Sequence, residues 1–417
     1  VVVATCVGLA SVASAREPHR PHRPHRPREP RAPRTSPTDP ALPTNVHFAE
    51  QGTIALPGRG LALAWSPDGG RIATGGRFRE KATGLRYDTR IADVATRALE
   101  KSFACHYFFV VATAWTANPF LGEIVADGGG DHAVKLWDPD GAGSLKCNPG
   151  QFLVAEGARK ALPEINGWTT DLAFSPDGRF LAGASRDRMV RIWSLEPGPR
   201  QFRVVAVVYD RAAGNFASVA WRADGRGLVT GDRKGRVVAW SLDPATDLWD
   251  DATVDAFAGV SYEDQPTWCG DNPGLVTHPT AWTDVRSGWV WTVRTSPDGS
   301  RVAAAGADGT VVVYDTDSGA VAYRASAPSK RGLHGVDWSP DGRLLAAGGD
   351  DRLVTVFTAA TGEVYDQLAG HEDVVSAVAW SPDGRFLAST AGGPRISLAL
   401  LNVTTGPDQT IRLWVAR

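Results

Sequence analysis

Cysteine is scarce in this 417-residue chain, with Cys6, Cys105, Cys147 and Cys269 widely scattered and no C-x-x-C spacing. That scatter excludes a metal ribbon and a disulfide framework, and it reads as isolated thiols in or near a packed core. The motifs G-x-S-x-G and H-E-x-x-H are missing, as is a Gly-rich phosphate loop followed by a helix, so the familiar hydrolase, zinc-protease and nucleotide signatures are absent. "DPDG" at 138–141 and "DTDSG" at 315–319 lack the Glu that a calcium loop needs and read as turns. No metal, cofactor or catalytic residue is expected. Net charge is only −2, which argues against nucleic acid as the main partner.

That small average hides an asymmetry. Residues 16–34 carry seven Arg against Glu17 and Glu29, giving +5, and the remainder of the chain is −7. The surrounding segment "REPHRPHRPHRPREPRAPR" is too rich in Pro and too poor in apolar residues to build a helix or sheet. Residues 16–45 are expected to be a disordered Pro/Arg/His-rich linker. A polyproline II period would align His19, His22 and His25 on one edge, which suits a stiff spacer better than a metal site. Before it, the apolar residues 1–15 ("VVVATCVGLASVASA") are shorter than the ~20 that span a bilayer. They fit a signal-like or membrane-anchor segment, with Ala13-Ser14-Ala15 as a cleavage pattern. Export or membrane association is favoured, a cytoplasmic location stays open, and the N-terminus could be truncated.

The abundant feature is repetition. "VAWSPDGRFLA" at 378–388 has counterparts in "VDWSPDGRLLA" at 336–346 and "LAFSPDGRFLA" at 172–182. Ser-Pro-Asp-Gly suits a type I turn, with Ser first, Pro second for its fixed φ and Gly fourth. Apolar alternation before it and "RFLA" after it give a strand–turn–strand signal. Counting imperfect copies, the unit occurs seven times, marked by Trp65, Trp115, Phe174, Trp221, Thr295, Trp338 and Trp380. A second marker, Asp followed by five residues and an aromatic, appears as Asp131–Trp137, Asp187–Trp193, Asp308–Tyr314, Asp351–Phe357 and Asp408–Trp414. Unit four keeps the strand ending at Trp240 without the Asp.

Four strands per unit, at a spacing of 42 to 43 between Thr295, Trp338 and Trp380, make a propeller blade. On these residues the stretch 46–417 resembles the WD-repeat β-propeller family, although only Trp137-Asp138 has the literal Trp-Asp pair. The resemblance implies an all-β, seven-bladed ring. It also implies structural networks of His, Asp, Ser/Thr and Trp: His106, Asp131 and Trp137 in one blade, His371, Asp408 and Trp414 in another, with the Ser/Thr member legible only as Ser185. The last unit stops after its third strand, and "EQGTIALPG" at 50–58 reads like the missing fourth. The N-terminal strand should therefore close the last blade, with residues 50–56 beside 410–414, and remove an open edge.

The inner strands read as small and apolar, without a convergent polar cluster. With no motif for chemistry, the expected function is a non-catalytic protein–protein interaction scaffold, monomeric and binding a protein or peptide. The alternatives are a sensor or ligand-binding domain of a larger membrane-associated signalling protein, or an enzyme acting at the channel mouth. Long connections at 77–87, 391–407, 158–168 and 260–288 are expected on one face, opposite the Ser-Pro-Asp-Gly turns, with 260–288 running from an outer strand to the next inner strand. Tyr262, Trp268 and Trp282 beside Asp271 and Asp284 are the candidate partner-binding residues, suited to a basic or proline-containing peptide.

Overall fold

The computed structural model describes residues 47–80, 84–141, 152–154, 167–243, 247–260, 264–272, 279–392 and 408–416. Segments 1–15 and 16–45, Tyr262, and most of 158–168 and 391–407 lie outside the described residues. The strands form seven antiparallel sheets. First strands Ala64–Trp65, Val110–Asn118, Thr169–Phe174, Phe216–Trp221, Val290–Thr295, Leu333–Trp338 and Val375–Trp380 begin blades one to seven. Each touches the first strand of the next blade all the way round. The result is a seven-bladed propeller with its core between facing blades.

The repeated turn has a local cause. In blade seven the Ser381 hydroxyl donates to Asp383 at 2.6 Å and accepts from the Phe386 N–H at 2.9 Å. Gly384 adopts φ +71, the left-handed region that favours glycine. Ser66, Ser175, Ser296 and Ser339 make the same bond to their own Asp. The Trp that precedes the turn joins blades: Trp221 donates to the Ala173 carbonyl and Trp338 to that of Arg294, at 3.0 and 3.1 Å. Trp65 donates to Ala379 at 2.9 Å, across the seam between blades one and seven.

That seam closes as the repeat pattern requires. Strand Phe48–Ala55 pairs antiparallel with Thr410–Ala416, from Phe48 opposite Ala416 to Ala55 opposite Thr410, with one bulge between Glu50 and Gly52. Sheet order places it outermost in blade seven.

The longest insertion lies elsewhere than the repeat spacing suggests. The fourth strand of blade four is Pro279–Val285, so residues 242–278 join third and fourth strands. They emerge on the rim of the Ser-Pro-Asp-Gly turns (the turn rim), not on the opposite rim where second–third hairpins and blade-to-blade crossings lie (the lock rim). The physical reason is a neighbour's need. The outer strand of blade three, Val204–Tyr209 (VVAVVY), is apolar throughout, whereas its counterpart in blade five, Val321–Ser326, alternates and faces solvent. Helices α1 (Asp251–Ala258) and α2 (Gln265–Asp271) pack on that apolar strand. The Trp249 N–H pairs with the Val205 carbonyl at 2.9 Å, covering an edge that would otherwise be open.

Candidate functional site

On the lock rim the chain crosses between blades beside the hairpin joining second and third strands. In blade seven, Trp414 Nε1 donates to Ser389 Oγ at 2.8 Å, Ser389 Oγ meets His371 Nε2 at 2.7 Å, and His371 Nδ1 meets Asp408 at 2.6 Å. A donor chain Trp414→Ser389→His371→Asp408 uses every hydrogen once and places the imidazole proton on Nδ1. Burial would push the Asp408 carboxyl up, but hydrogen bonds from His371 and Thr410 hold it down at about 2. The Ser/Thr member of this network is Ser389, which the sequence reading missed. Ser185, the expected one, accepts only from the Asp187 N–H, at 3.4 Å.

Blade two is built differently. His106 Nδ1 faces Asp131 at 2.8 Å, and Nε2 faces Asp127, not a hydroxyl, at 3.0 Å. Carboxylates on both sides require both ring nitrogens to donate. Burial lowers the His106 pKa, yet Asp131 and Asp127 outweigh it and hold the imidazole up at about 9. Trp137 does not join this network. Its Nε1 finds no acceptor among the described residues, and its ring stacks on Phe103 at 4.9 Å.

Elsewhere the hairpin Asp recruits other donors. Arg286 and Ser329 stand nine residues before Thr295 and Trp338, the spacing at which His106 and His371 precede their own Trp. Arg286 reaches Asp308 at 2.6 Å and Ser329 reaches Asp351 at 2.5 Å. In blade three Asp187 takes Arg191 at 2.8 Å, and Arg191 also donates to buried Gln265 at the start of α2. Trp193 of that blade packs over Gly183, where a Cβ would come within 2.7 Å of its ring. Blade four has its Asp after all: Asp232 accepts from the N–H groups of Gly214 and Lys234, both at 2.8 Å. Searching for histidine alone hid these equivalents.

The expected partner-binding residues fall on separate elements, Trp268 and Asp271 on α2 and Trp282 and Asp284 on the outer strand of blade four, with Tyr262 outside the described residues. Trp268 is no free anchor: it packs edge-on against Trp249 at 5.6 Å and Phe257 at 5.1 Å. Asp271 is exposed at the end of α2, and Trp282 lies on the outer strand of blade four. Asp284, on that strand, accepts from the Tyr314 hydroxyl at 2.7 Å. Cys269 is buried and its thiol pushed up to about 12, an inert group.

A convergent polar cluster does exist in the inner strands, against expectation. One and three residues before the Trp position, the seven repeats read Ala or Gly at nine of fourteen places. The exceptions are Asp171, Ser218, Thr292, Arg294 and Asp337, all in blades three to six. The axial channel is lined by Thr113, Thr292, Arg294 and Ala377 among others. Arg294 pairs with Asp171 at 3.0 Å, and Ser218 donates to the same carboxylate at 2.5 Å. Burial pushes the Asp337 carboxyl up to about 6, against the opposing pull of the Trp380 N–H, 2.8 Å away, and Arg294. These groups mostly satisfy one another. The described residues contain no cluster of three or more metal-ligating side chains, and none of their helices is long and apolar enough to cross a membrane.

Comparison with known proteins agrees with this geometry. Stretches 162–194, 282–315, 325–358 and 362–415 match the family described as WD domain, G-beta repeat. The chain is a WD-repeat β-propeller protein. This propeller is similar to protein transport protein SEC13 of Chaetomium globosum, 34% identical over 90 residues, covering 20% of this chain and 28% of that one. It is also similar to protein HIR1 of Kluyveromyces lactis, 34% identical over 80 residues, covering 18% and 9%. Telomerase protein component 1 of Mus musculus is 28% identical over 130 residues, covering 31% and 4%. The propeller thus spans well under half the length of these curated relatives.

Proposed function

We propose that this propeller is a non-catalytic platform that binds protein partners on its lock rim. The observation that carries the reading is where the most exposed aromatic of the described residues stands. Tyr107, 86% exposed, sits at the crossing between blades one and two, beside half-buried Phe108, and partly exposed Trp289 stands at the start of the inner strand of blade five on the same rim. Partly exposed aromatics on a rigid frame are the usual anchors of protein interfaces. The buried His, Arg and Asp locks beneath supply that rigidity. The channel groups support the non-catalytic half, because Asp171, Ser218 and Arg294 are engaged with each other.

Affinity capture tests this with three baits: the wild-type chain, Tyr107→Ala/Trp289→Ala on the lock rim, and Phe120→Ala/Leu121→Ala on the turn rim. Partners recovered by the first and third but lost with the second are expected. Equal recovery by all three removes the lock rim from the reading, and turnover in a hydrolase panel that survives purification removes the non-catalytic half.

A further inference from the structure

Resting on the platform reading, we infer that the lock-rim mouth of the channel is an anion site for an acidic peptide segment, centred on Arg233. Six residues before the Trp position, where each inner strand begins, stand Phe109, Trp168 and Trp289 in blades two, three and five. Their rings and two arginines form a continuous arc. Phe108 meets Trp168 at 5.3 Å, Arg186 lies 4.2 Å over Trp168, and Arg233 lies 3.6 Å over Trp289 of the next blade. Trp289 then meets Trp291 at 4.9 Å.

Among the described residues, several carboxylates of this rim are already engaged. Asp131 faces His106, Asp308 faces Arg286 and Asp350 faces His334, at 2.8, 2.6 and 2.7 Å. Arg233 differs from them. Its Nε is buried without an acceptor, and its guanidinium has no carboxylate within ion-pair distance among the described residues. With its carbon 3.6 Å from the indole centre, the guanidinium covers the ring face and can offer its Nη N–H groups to a carboxylate. Arg186 adds a second positive charge close enough to repel the first. An incoming anion would relieve that repulsion and accept from the Nη groups of Arg233.

The arc is longer than a single small anion. Partly exposed Phe108 and Trp289 stand at either end of the arc, over buried Trp168, Phe109 and Trp291, so the occupant that fits is a peptide carrying acidic side chains with apolar neighbours. This replaces the basic or proline-containing peptide suggested by the acids around Trp268, because that tryptophan packs against blade three.

The test is fluorescence anisotropy on the full chain with three labelled octapeptides: terminally blocked oligo-Glu, terminally blocked oligo-Gln, and oligo-Gln with a free C-terminal carboxylate. Oligo-Glu is expected to bind best at low salt and weaken steeply as salt rises. Arg233→Gln should weaken it about tenfold, the loss of one charge-assisted fork. Arg233→Lys, which keeps the charge but not the planar fork, should restore only part of this. The melting temperature is measured alongside, and Trp289→Phe serves if Arg233→Gln does not fold. Equal binding of the blocked peptides overturns the inference, as does an affinity unmoved by Arg233→Gln. Preference for the free C-terminus overturns the acidic-side-chain source. Partner capture that persists with Arg233→Gln leaves the platform standing and removes only the anion site.

Discussion

Around the turn rim, five repeats use the same Ser-Pro-Asp-Gly turn with the same serine-to-aspartate bond. Around the lock rim, neighbouring blades hold their hairpin Asp with different chemistry: imidazole in blade two, guanidinium in three and five, backbone N–H in four, hydroxyl in six, imidazole again in seven. The difference teaches where constraint comes from. A turn is satisfied by residues within five positions of one another, so any repeat that keeps the motif keeps the geometry. A lock commonly takes its donor from 18 to 37 residues away, such as Gly214 for Asp232 or His371 for Asp408, and in blade three Arg191, beside Asp187 in the chain, also donates to the distant Gln265. Several donor types meet that demand once the fold brings them together, so the sequence at the lock rim is free to vary.

The comparison can be broken first at the seam, where both rims depend on closure. Removing residues 46–57 takes away the partner of Thr410–Ala416 and uncovers buried Ile411 and Leu413. The expected result is aggregation or a large fall in melting temperature, read by light scattering and calorimetry. A monomeric truncation of unchanged stability would sink the closure argument.

Next, substitutions at one register of the lock rim should differ widely. His371→Ala leaves Asp408 and Ser389 buried with lost partners and should cost about 3 kcal/mol. Ser329→Ala acts on an exposed pair and should cost less than about 1 kcal/mol. Equal losses in denaturant titrations would mean that the locks are interchangeable after all.

A pH titration probes the carboxylate–imidazole–carboxylate arrangement of blade two. The folded His106 value, about 9, lies above the ordinary 6.5, so its stabilisation is complete below about pH 6.5 and is lost as pH rises through about 9. Asp131 is held down at about 2, chiefly by His106 against the effect of burial, so its share is present above the ordinary carboxylate range and lost as pH falls through about 2. The melting-temperature gap between wild type and His106→Gln should therefore narrow from pH 6 to pH 10. A gap independent of pH would show that the imidazole is not held charged.

The smallest effect belongs to the turn rim. Gly384 and Gly342 both have φ +71, and a Cβ at either would meet nothing closer than 3.7 Å. Ala at each should cost about 1 kcal/mol, from the backbone alone, and the two costs should agree. Unequal values would show that the repeated turns are less equivalent than their geometry suggests.

Much of the fold was legible because it rests on short-range patterns. The Ser-Pro-Asp-Gly turns and the Asp-to-aromatic spacing gave seven units, and the missing last strand pointed to Phe48–Ala55. Less of the candidate site was legible. Arg286 and Ser329 stand at the right spacing, but a search tuned to histidine passes over them. The departures of Asp171, Arg294 and Asp337 from an Ala/Gly pattern were visible in the sequence, yet each looks isolated until the repeats are superposed. VVAVVY on an outer strand was a further signal, since six apolar residues there need a cover.

The sequence by itself determined the turns, the strand alternation, the number of blades and the need for a closing strand, since each follows from residues near one another or from a fixed period. Only the tertiary structure decided which rim receives the long insertion, which donor locks each hairpin, and that Asp171, Arg294 and Asp337 meet on one axis. Those outcomes depend on side chains from different blades reaching each other, and ring closure sets these distances where sequence separation does not.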